Sequence, residues 1–295
     1  MPELLLRSDL PGLVHRGKVK DTYLLDDETL LLVITDRISA FDVVLPGGVP
    51  KKGEILARLS AFWFQKTRDL VPNHLIKLVE DVRELEESYG RSFPKAFEGR
   101  SLLVRRAERI PVECIVRGYL AGSAWREYRE RGTVWGRKLP PGLREGAKLP
   151  EPLFTPTTKE EAGHDRPLSR EELSKLVGEE VARKLEERSL EIYSFAERYA
   201  RERGIIIADT KFEFGFIEGK LSLIDELLTP DTSRFWKLEE WEERGIAESF
   251  DKQPLRNWLS ERGWAGDAPP PEIPSEILED LGRRYEEALR RLAGG

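Results

Sequence analysis

The chain has 295 residues, with 48 Lys and Arg against 54 Asp and Glu, a net charge of −6, 39% hydrophobic and 35% charged residues. It is too apolar for a disordered chain and too charged for a membrane protein, and no run approaches the ~20 apolar residues of a membrane span. One cysteine, Cys114, and three scattered histidines, His15, His74 and His164, exclude an internal disulfide framework, a multi-cysteine zinc site and a His-x-x-x-His hydrolase.

The start, Met1 to Asp9, lacks the basic end and apolar run of a signal peptide, so a cytoplasmic protein is expected. Strands are predicted around Val14–Tyr23 and Leu30–Thr35, with the Asp26-Asp27-Glu28 turn between them. Arg16-Gly17-Lys18-Val19-Lys20 puts two lysines on one strand face just after a glycine. Such a turn suits phosphate, although an exposed basic strand is the commoner case. Thr35-Asp36-Arg37-Ile38-Ser39 follows an apolar strand, as binding loops and ordinary turns both do. Residues 54–70 carry Ile55, Leu56, Leu59, Phe62 and Trp63 at helical spacing, which predicts an amphipathic helix.

Ser101–Ala107 and Pro111–Leu120 read as strands. Cys114 lies in the second as inert packing. Arg117 on that strand and Ser123 at a following helix start make a phosphate site or merely a helix cap. Residues 131–168 are rich in Gly and Pro with little periodicity, the mark of a functional or mobile segment. His164-Asp165 within it is an acid–base pair or an exposed loop. Ser169 to Glu172 fits a capping box. Val181, Leu185, Ile192, Ala196 and Tyr199 form one helical stripe over 179–203, which Gly204 ends.

The segment 205–216, Ile-Ile-Ile-Ala-Asp-Thr-Lys-Phe-Glu-Phe-Gly-Phe, is the most informative. Alternation turns Phe212, Phe214 and Phe216 to one face and Asp209, Lys211 and Glu213 to the other. A strand over 220–227 returns with Asp225 at its end. A three-residue loop, 217–219, places Asp225 opposite Lys211 and diagonal to Glu213, whereas a two-residue turn sends it to the other face. In the first case Glu213 and Asp225 make a carboxylate pair suited to Mg²⁺. An exposed, ion-paired face is the plain alternative. Asp231 is expected to cap a helix over 233–244, which puts Arg234 in its first turn. Helices close the chain at 251–260 and 275–293. An α+β protein of two lobes follows, residues 1–108 and 109–295, with a cleft between them.

Together RGKVKDTY, TDRISAFD, IPVECIVRGYLAGS, FTPTTK, DTKFEFG, DELLTPDTSR and SFDKQ, in that order, resemble the SAICAR synthetase family over nearly the whole chain. The resemblance implies a small, mainly antiparallel N-terminal lobe similar to that of a protein kinase and a larger ATP-grasp-like lobe. It implies a purine-biosynthesis ligase that joins L-aspartate to the carboxylate of CAIR, a carboxylated aminoimidazole ribonucleotide, and cleaves ATP. Gly17, Lys18 and Lys20 would cover the ATP phosphates, and residues from Arg106 to Ile110 would form the adenine hinge. Glu213 and Asp225 would hold Mg²⁺. Arg117 and Ser123 would bind CAIR, with Asp209, Lys211 and Arg234 in the same cleft and Lys20, Lys211 and Asp209 as the catalytic set. Asp36 and Ser39 would contact the nucleotide substrate. Lys159 and Asp165 would close over the site, with Lys252 a further candidate.

No nucleic-acid or membrane partner is expected, a homo-oligomer stays open, and no general base is evident. Only four uncharged amides, Gln65, Asn73, Gln253 and Asn257, point to a thermophilic source or a GC-rich genome. A kinase-like phosphotransferase on a small anionic metabolite is the rival reading, separated by whether ATP cleavage needs aspartate. A binding protein that has lost its chemistry is the other, disfavoured by the complete Lys211, Glu213 and Asp225 set.

Overall fold

The computed structural model describes residues 3–159, 165–246, 249–266 and 269–294. The chain opens with the meander β1 (Leu13–Arg16), β2 (Lys20–Leu24) and β3 (Thr29–Ile34), then the hairpin β4 (Arg37–Ala40) and β5 (Val43–Gly48). Helix α1 (Lys52–Thr67), strand β6 (Leu75–Leu78), helix α2 (Arg83–Tyr89) and strand β7 (Ser101–Arg105) follow. They make an antiparallel sheet in the order β1-β2-β3-β7-β6. β3, Thr-Leu-Leu-Leu-Val-Ile, is central and buried on both faces, which is why it reads as a continuous apolar run.

After two linking residues comes β8 (Glu108–Tyr119), then α3 (Gly122–Arg131), the short β9 (Thr133–Val134) and β10 (Arg137–Lys138), and β11 (Lys148–Phe154) and β12 (Thr157–Thr158). Helices α4 (Arg170–Val177) and α5 (Glu179–Arg201) lead into β13 (Ile205–Ile217), β14 (Lys220–Ile224) and β15 (Ser233–Lys237). Three helices end the chain, α6 (Leu238–Arg244), α7 (Gln253–Glu261) and α8 (Ser275–Ala293). The second sheet runs β11-β8-β13-β14, with β12 also on β8 and β15 also on β13. All these pairings are antiparallel, so the α+β expectation holds.

The expected division at 108/109 falls at the first residue of β8, where the chain passes from one sheet to the other. The core does not divide there. One apolar cluster takes in Ile34 of β3, Leu56 and Phe64 of α1, Val112 of β8, Phe212 and Phe214 of β13, and Leu281 and Tyr285 of α8. Backbone bonds from His74 N–H to Leu223 O (3.0 Å) and from Leu223 N–H to Pro72 O (2.8 Å) stitch the sheets together. Phe212 and Phe214 are fully buried, worth about 1.5–3 kcal/mol each. Phe216, on the same face, is half-buried.

Several predicted elements lie where expected. The 54–70 helix is α1, and the stripe helix is α5, closed by Gly204. Ser169 and Glu172 form a complete capping box, with Ser169 Oγ accepting from Glu172 N–H at 3.1 Å. Cys114 is buried, and burial pushes its thiol pKa up.

Three expectations are corrected. The part of 131–168 that is described carries four short strands, and Thr155, Thr157 and Thr158 are buried; His164 lies outside the described residues. Residues 233–237 are a strand, not a helix. Phe235 and Trp236 are buried, and they pair through β15 with Ile207 and Ile206, a long-range gain that outweighs the local helix-start signal of Pro-Asp-Thr-Ser. The hairpin register is also different. Ile217 pairs with Lys220 and Glu213 with Ile224, so the turn is the two residues Glu218-Gly219, both at positive φ (50° and 73°), the geometry of a primed hairpin turn.

Among the described residues, no helix is long and apolar enough to cross a membrane.

Candidate active site

A cleft of about 460 Å³ lies over β8 and β13. Its walls include Arg117, Ser123, Asp165, Asp209, Lys211 and Arg234, all named from the sequence. The antiparallel register explains why. Asp209 lies opposite Arg117, Lys211 opposite Ile115 and Glu213 opposite Glu113, so charged side chains from both strands project from one face.

At one end, Arg117 is buried. Its Nη1 donates to Asp209 Oδ2 (3.0 Å), its Nε to Thr155 Oγ1 (3.0 Å) and its Nη2 to Ser123 Oγ (3.2 Å). Arg234, opposite Asp209 on β15, also donates to that carboxylate. Two guanidinium groups thus share one acid. Asp209 holds the Arg234 cation against its burial, while burial pulls the Arg117 pKa down. Gly122, at φ +55°, lets the helix start press on Arg234: a Cβ there would lie 2.4 Å from its Nη2. Arg234 therefore sits on a strand, paired with Asp209, and not in the first turn of a helix.

At the other end, acids alternate with lysines. Lys211 Nζ donates to Glu113 Oε2 (2.8 Å), and Lys159 Nζ lies 3.3 Å from Glu113 Oε1 and is bonded to Glu213. Glu113 is buried, yet its carboxyl is held low: burial pushes the pKa up, and Lys211 and Lys159 outweigh it. Lys159 is likewise kept charged by Glu213 and Glu113 against burial.

Asp225 rejoins this group by another route than register. The two-residue turn would send it to the far face, but it sits beyond β14 at φ +69°, a left-handed conformation that costs a non-glycine residue about 1–2 kcal/mol. There it pairs with Lys20 of β2. Burial lowers the Lys20 pKa, and Glu226 and Glu213 act against that. Lys20 thus pairs directly with Asp225 and feels the charges of Glu226 and Glu213.

The remaining named residues are elsewhere. Gly17 and Lys18 form the β1–β2 turn, where Lys18 is exposed and pairs with Asp42. Arg106 is exposed at the β7–β8 link, with its N–H on Glu28 O (2.6 Å), and Ile110 is buried. Asp36 is not brought to the cleft. It is sealed in the N-terminal half, accepting from Arg100 Nη1 (2.7 Å), Leu5 N–H (2.8 Å) and Gly53 N–H (3.0 Å). Ser39 lies in β4, away from the cleft walls.

The sequence reading missed Glu113, Glu127, Trp135, Asp251 and Arg256, all of which line the cleft. Glu113 had a signal: it is the one acid inside the apolar run Ile110–Val116, and acids are rarely buried unpaired. Arg256, four residues after Lys252, shares its helix face.

The two antiparallel sheets and the charge-lined cleft suit an enzyme, and the likeness of the chain to known proteins makes it a ligase. The SAICAR synthetase family model matches residues 13–271. The phosphoribosylaminoimidazole-succinocarboxamide synthase of Thermodesulfovibrio yellowstonii is 51% identical over 294 residues, 99% of each chain. That of Syntrophobacter fumaroxidans is 50% identical over 99% of this chain and 97% of its own. Among solved structures, SAICAR synthase from Saccharomyces cerevisiae complexed with SAICAR superposes with a TM-score of 0.85 at 42% identity, covering 99% of this chain and 98% of that one. A SAICAR synthetase in complex with ADP gives 0.69 at 26% identity, covering 95% and 97%. The chain belongs to the SAICAR synthetase family.

Proposed function

We propose that this enzyme joins the amino group of L-aspartate to the carboxylate of CAIR, giving SAICAR, with ATP cleaved to ADP and phosphate. The observation that carries the reading is the strip of alternating charge on β8 and β13, with a double-arginine end and an acid–lysine end. The solved relatives complexed with SAICAR and with ADP support it.

The double-arginine end, with Ser123, suits the anionic groups of CAIR. The acid–lysine end suits the nucleotide phosphates. The β1–β2 turn, Gly17 to Lys20, would cover them, and the 106–110 link would meet the base. Residues 1–108 and 109–295 would then be the two lobes around the nucleotide.

The donor set here fits Mg²⁺. Glu213 and Asp225 supply hard oxygen ligands, each beside a lysine, Lys159 and Lys20. Mg²⁺ is typically bound through one or two carboxylates plus substrate phosphates. When bound, Mg²⁺ would neutralise phosphate charge.

A carboxylate is a poor electrophile, so CAIR would be activated as an acyl phosphate before the amine attacks. Lys20 and Lys211 would offset the charge on the transferring phosphoryl group, and Lys159 and Asp165 would help to exclude water. Arg117 and Arg234, held by Asp209, would fix CAIR so that its carboxylate meets the phosphoryl group.

The test is ADP release from ATP, Mg²⁺ and CAIR with and without L-aspartate, with the product followed by mass. SAICAR formed only in the complete mixture is expected. ADP formed equally well without aspartate, with a phosphorylated metabolite, would establish the phosphotransferase instead.

A further inference from the structure

Asp231 is not a helix cap. It lines the cleft, while both its oxygens face inward to a buried cluster drawn from three helical regions. Tyr285 of α8 donates its hydroxyl to Oδ1 at 2.8 Å. Lys52, first residue of α1, lies 2.9 Å from Oδ2, and Lys252, just before α7, lies 3.3 Å from it. Lys52 and Tyr285 are 0% exposed, Lys252 7%, and the Asp231 side chain 5%. Lys52 makes an ion pair rather than an aligned hydrogen bond. A buried carboxylate facing two ammonium groups is costly to disturb.

The cluster is joined to the cleft by the short loop that carries Asp231. Thr229 Oγ1 accepts from Asp231 N–H (3.2 Å), and Thr229 O accepts from Thr232 N–H (3.1 Å) and Ser233 N–H (2.9 Å). Thr232 O accepts from Lys211 N–H (3.0 Å), and Ser233 Oγ bonds Thr210 Oγ1 (2.8 Å). Thr232, Ser233 and Arg234 all line the cleft. Helix α8, beginning at Ser275, lies wholly beyond the segment matched by the family model, which ends at residue 271.

We infer that Tyr285 and Lys52 are positioning residues: through Asp231 they set the 229–234 loop, and with it the anion-binding end of the cleft. The kinetic half of the inference rests on the proposed ligase activity; the structural half does not. C-terminal helix and catalytic cleft are thereby linked through one carboxylate.

The test compares Y285F with Y199F in the full-length protein. Tyr199 also bonds α8, through Leu292 O at 3.2 Å, but takes no part in the cluster. Loss of a hydrogen bond to a charged group predicts about tenfold faster hydrogen exchange at the amides of Asp231, Thr232 and Ser233 in Y285F. No change is expected at the β13–β14 hairpin, and none at either place in Y199F. In steady state, Y285F is expected to raise the KM for CAIR about tenfold while the KM for ATP stays within twofold. A K52M variant should move the same amides and the same KM. Unchanged loop exchange in both Y285F and K52M, or an equal effect in Y199F, would overturn the inference. Faster loop exchange in the variants, with no SAICAR formed by the unaltered protein, would uphold the positioning and reject the ligase reading.

Discussion

In the N-terminal sheet, Asp21 and Asp36 are sealed. Asp21 accepts from Arg37 Nη2 (2.8 Å) and Ser8 Oγ (2.6 Å), and Asp36 from Arg100 and two backbone N–H groups. At the acid–lysine end of the second sheet closure is looser: Lys211 has 48% of its side chain exposed, Lys159 27%, Asp225 24% and Glu213 12%. The difference lies in closure and not in residue type. A buried acid whose lone pairs are all taken by the scaffold stabilises a fold. An acid held by lysines at a cleft wall keeps a face for a ligand and can exchange partners.

That contrast is broken most directly at Glu213. E213Q, and separately D225N, should cut SAICAR formation about 100-fold or more, in line with the loss of one charge-stabilising group, while the thermal midpoint moves little. Normal turnover in both variants would remove these carboxylates from the chemistry. The opposite pattern is expected of D36N. Breaking a buried pair costs about 3–5 kcal/mol, seen as a lower denaturant midpoint, with the KM for each substrate unchanged in the protein that remains folded. A raised substrate KM in D36N would return Asp36 to the site.

The smallest effect concerns acid. Burial pushes the Asp21 pKa up, but the hydrogen bonds from Arg37 and Ser8 outweigh it and hold the carboxyl below its usual value. A depressed folded pKa gives stability that is complete above about pH 4 and lost as the pH falls below it. D21N should therefore flatten the acid limb of the stability curve and leave its shape near neutrality unchanged. An identical acid limb in the variant would show that Asp21 contributes nothing to it.

The alternation in β13 was legible because it is local: Phe212 and Phe214 against Asp209, Lys211 and Glu213 is a period that only a half-buried strand satisfies. The α5 stripe and the capping box were legible for the same reason. Strand β15 was not, since its partners Ile206 and Ile207 lie about 30 residues away in sequence. Asp225 came to the site from the wrong register, because positive φ at a single aspartate is invisible in composition. Asp36 was misplaced because an acid after an apolar strand looks the same whether it binds a ligand or an arginine of its own chain. Glu113 was hidden by its apolar neighbours.

One strand carries both Asp209 and Glu213, and this sets a length. From Asp209 to Glu213 the pairing of β13 with β8 runs without a bulge, and four residues of extended chain span about 13 Å. A strand paired residue by residue with its neighbour neither stretches nor shortens. Asp209, with its two arginines, and Glu213 are therefore held a fixed distance apart by the strand itself, whatever moves around them.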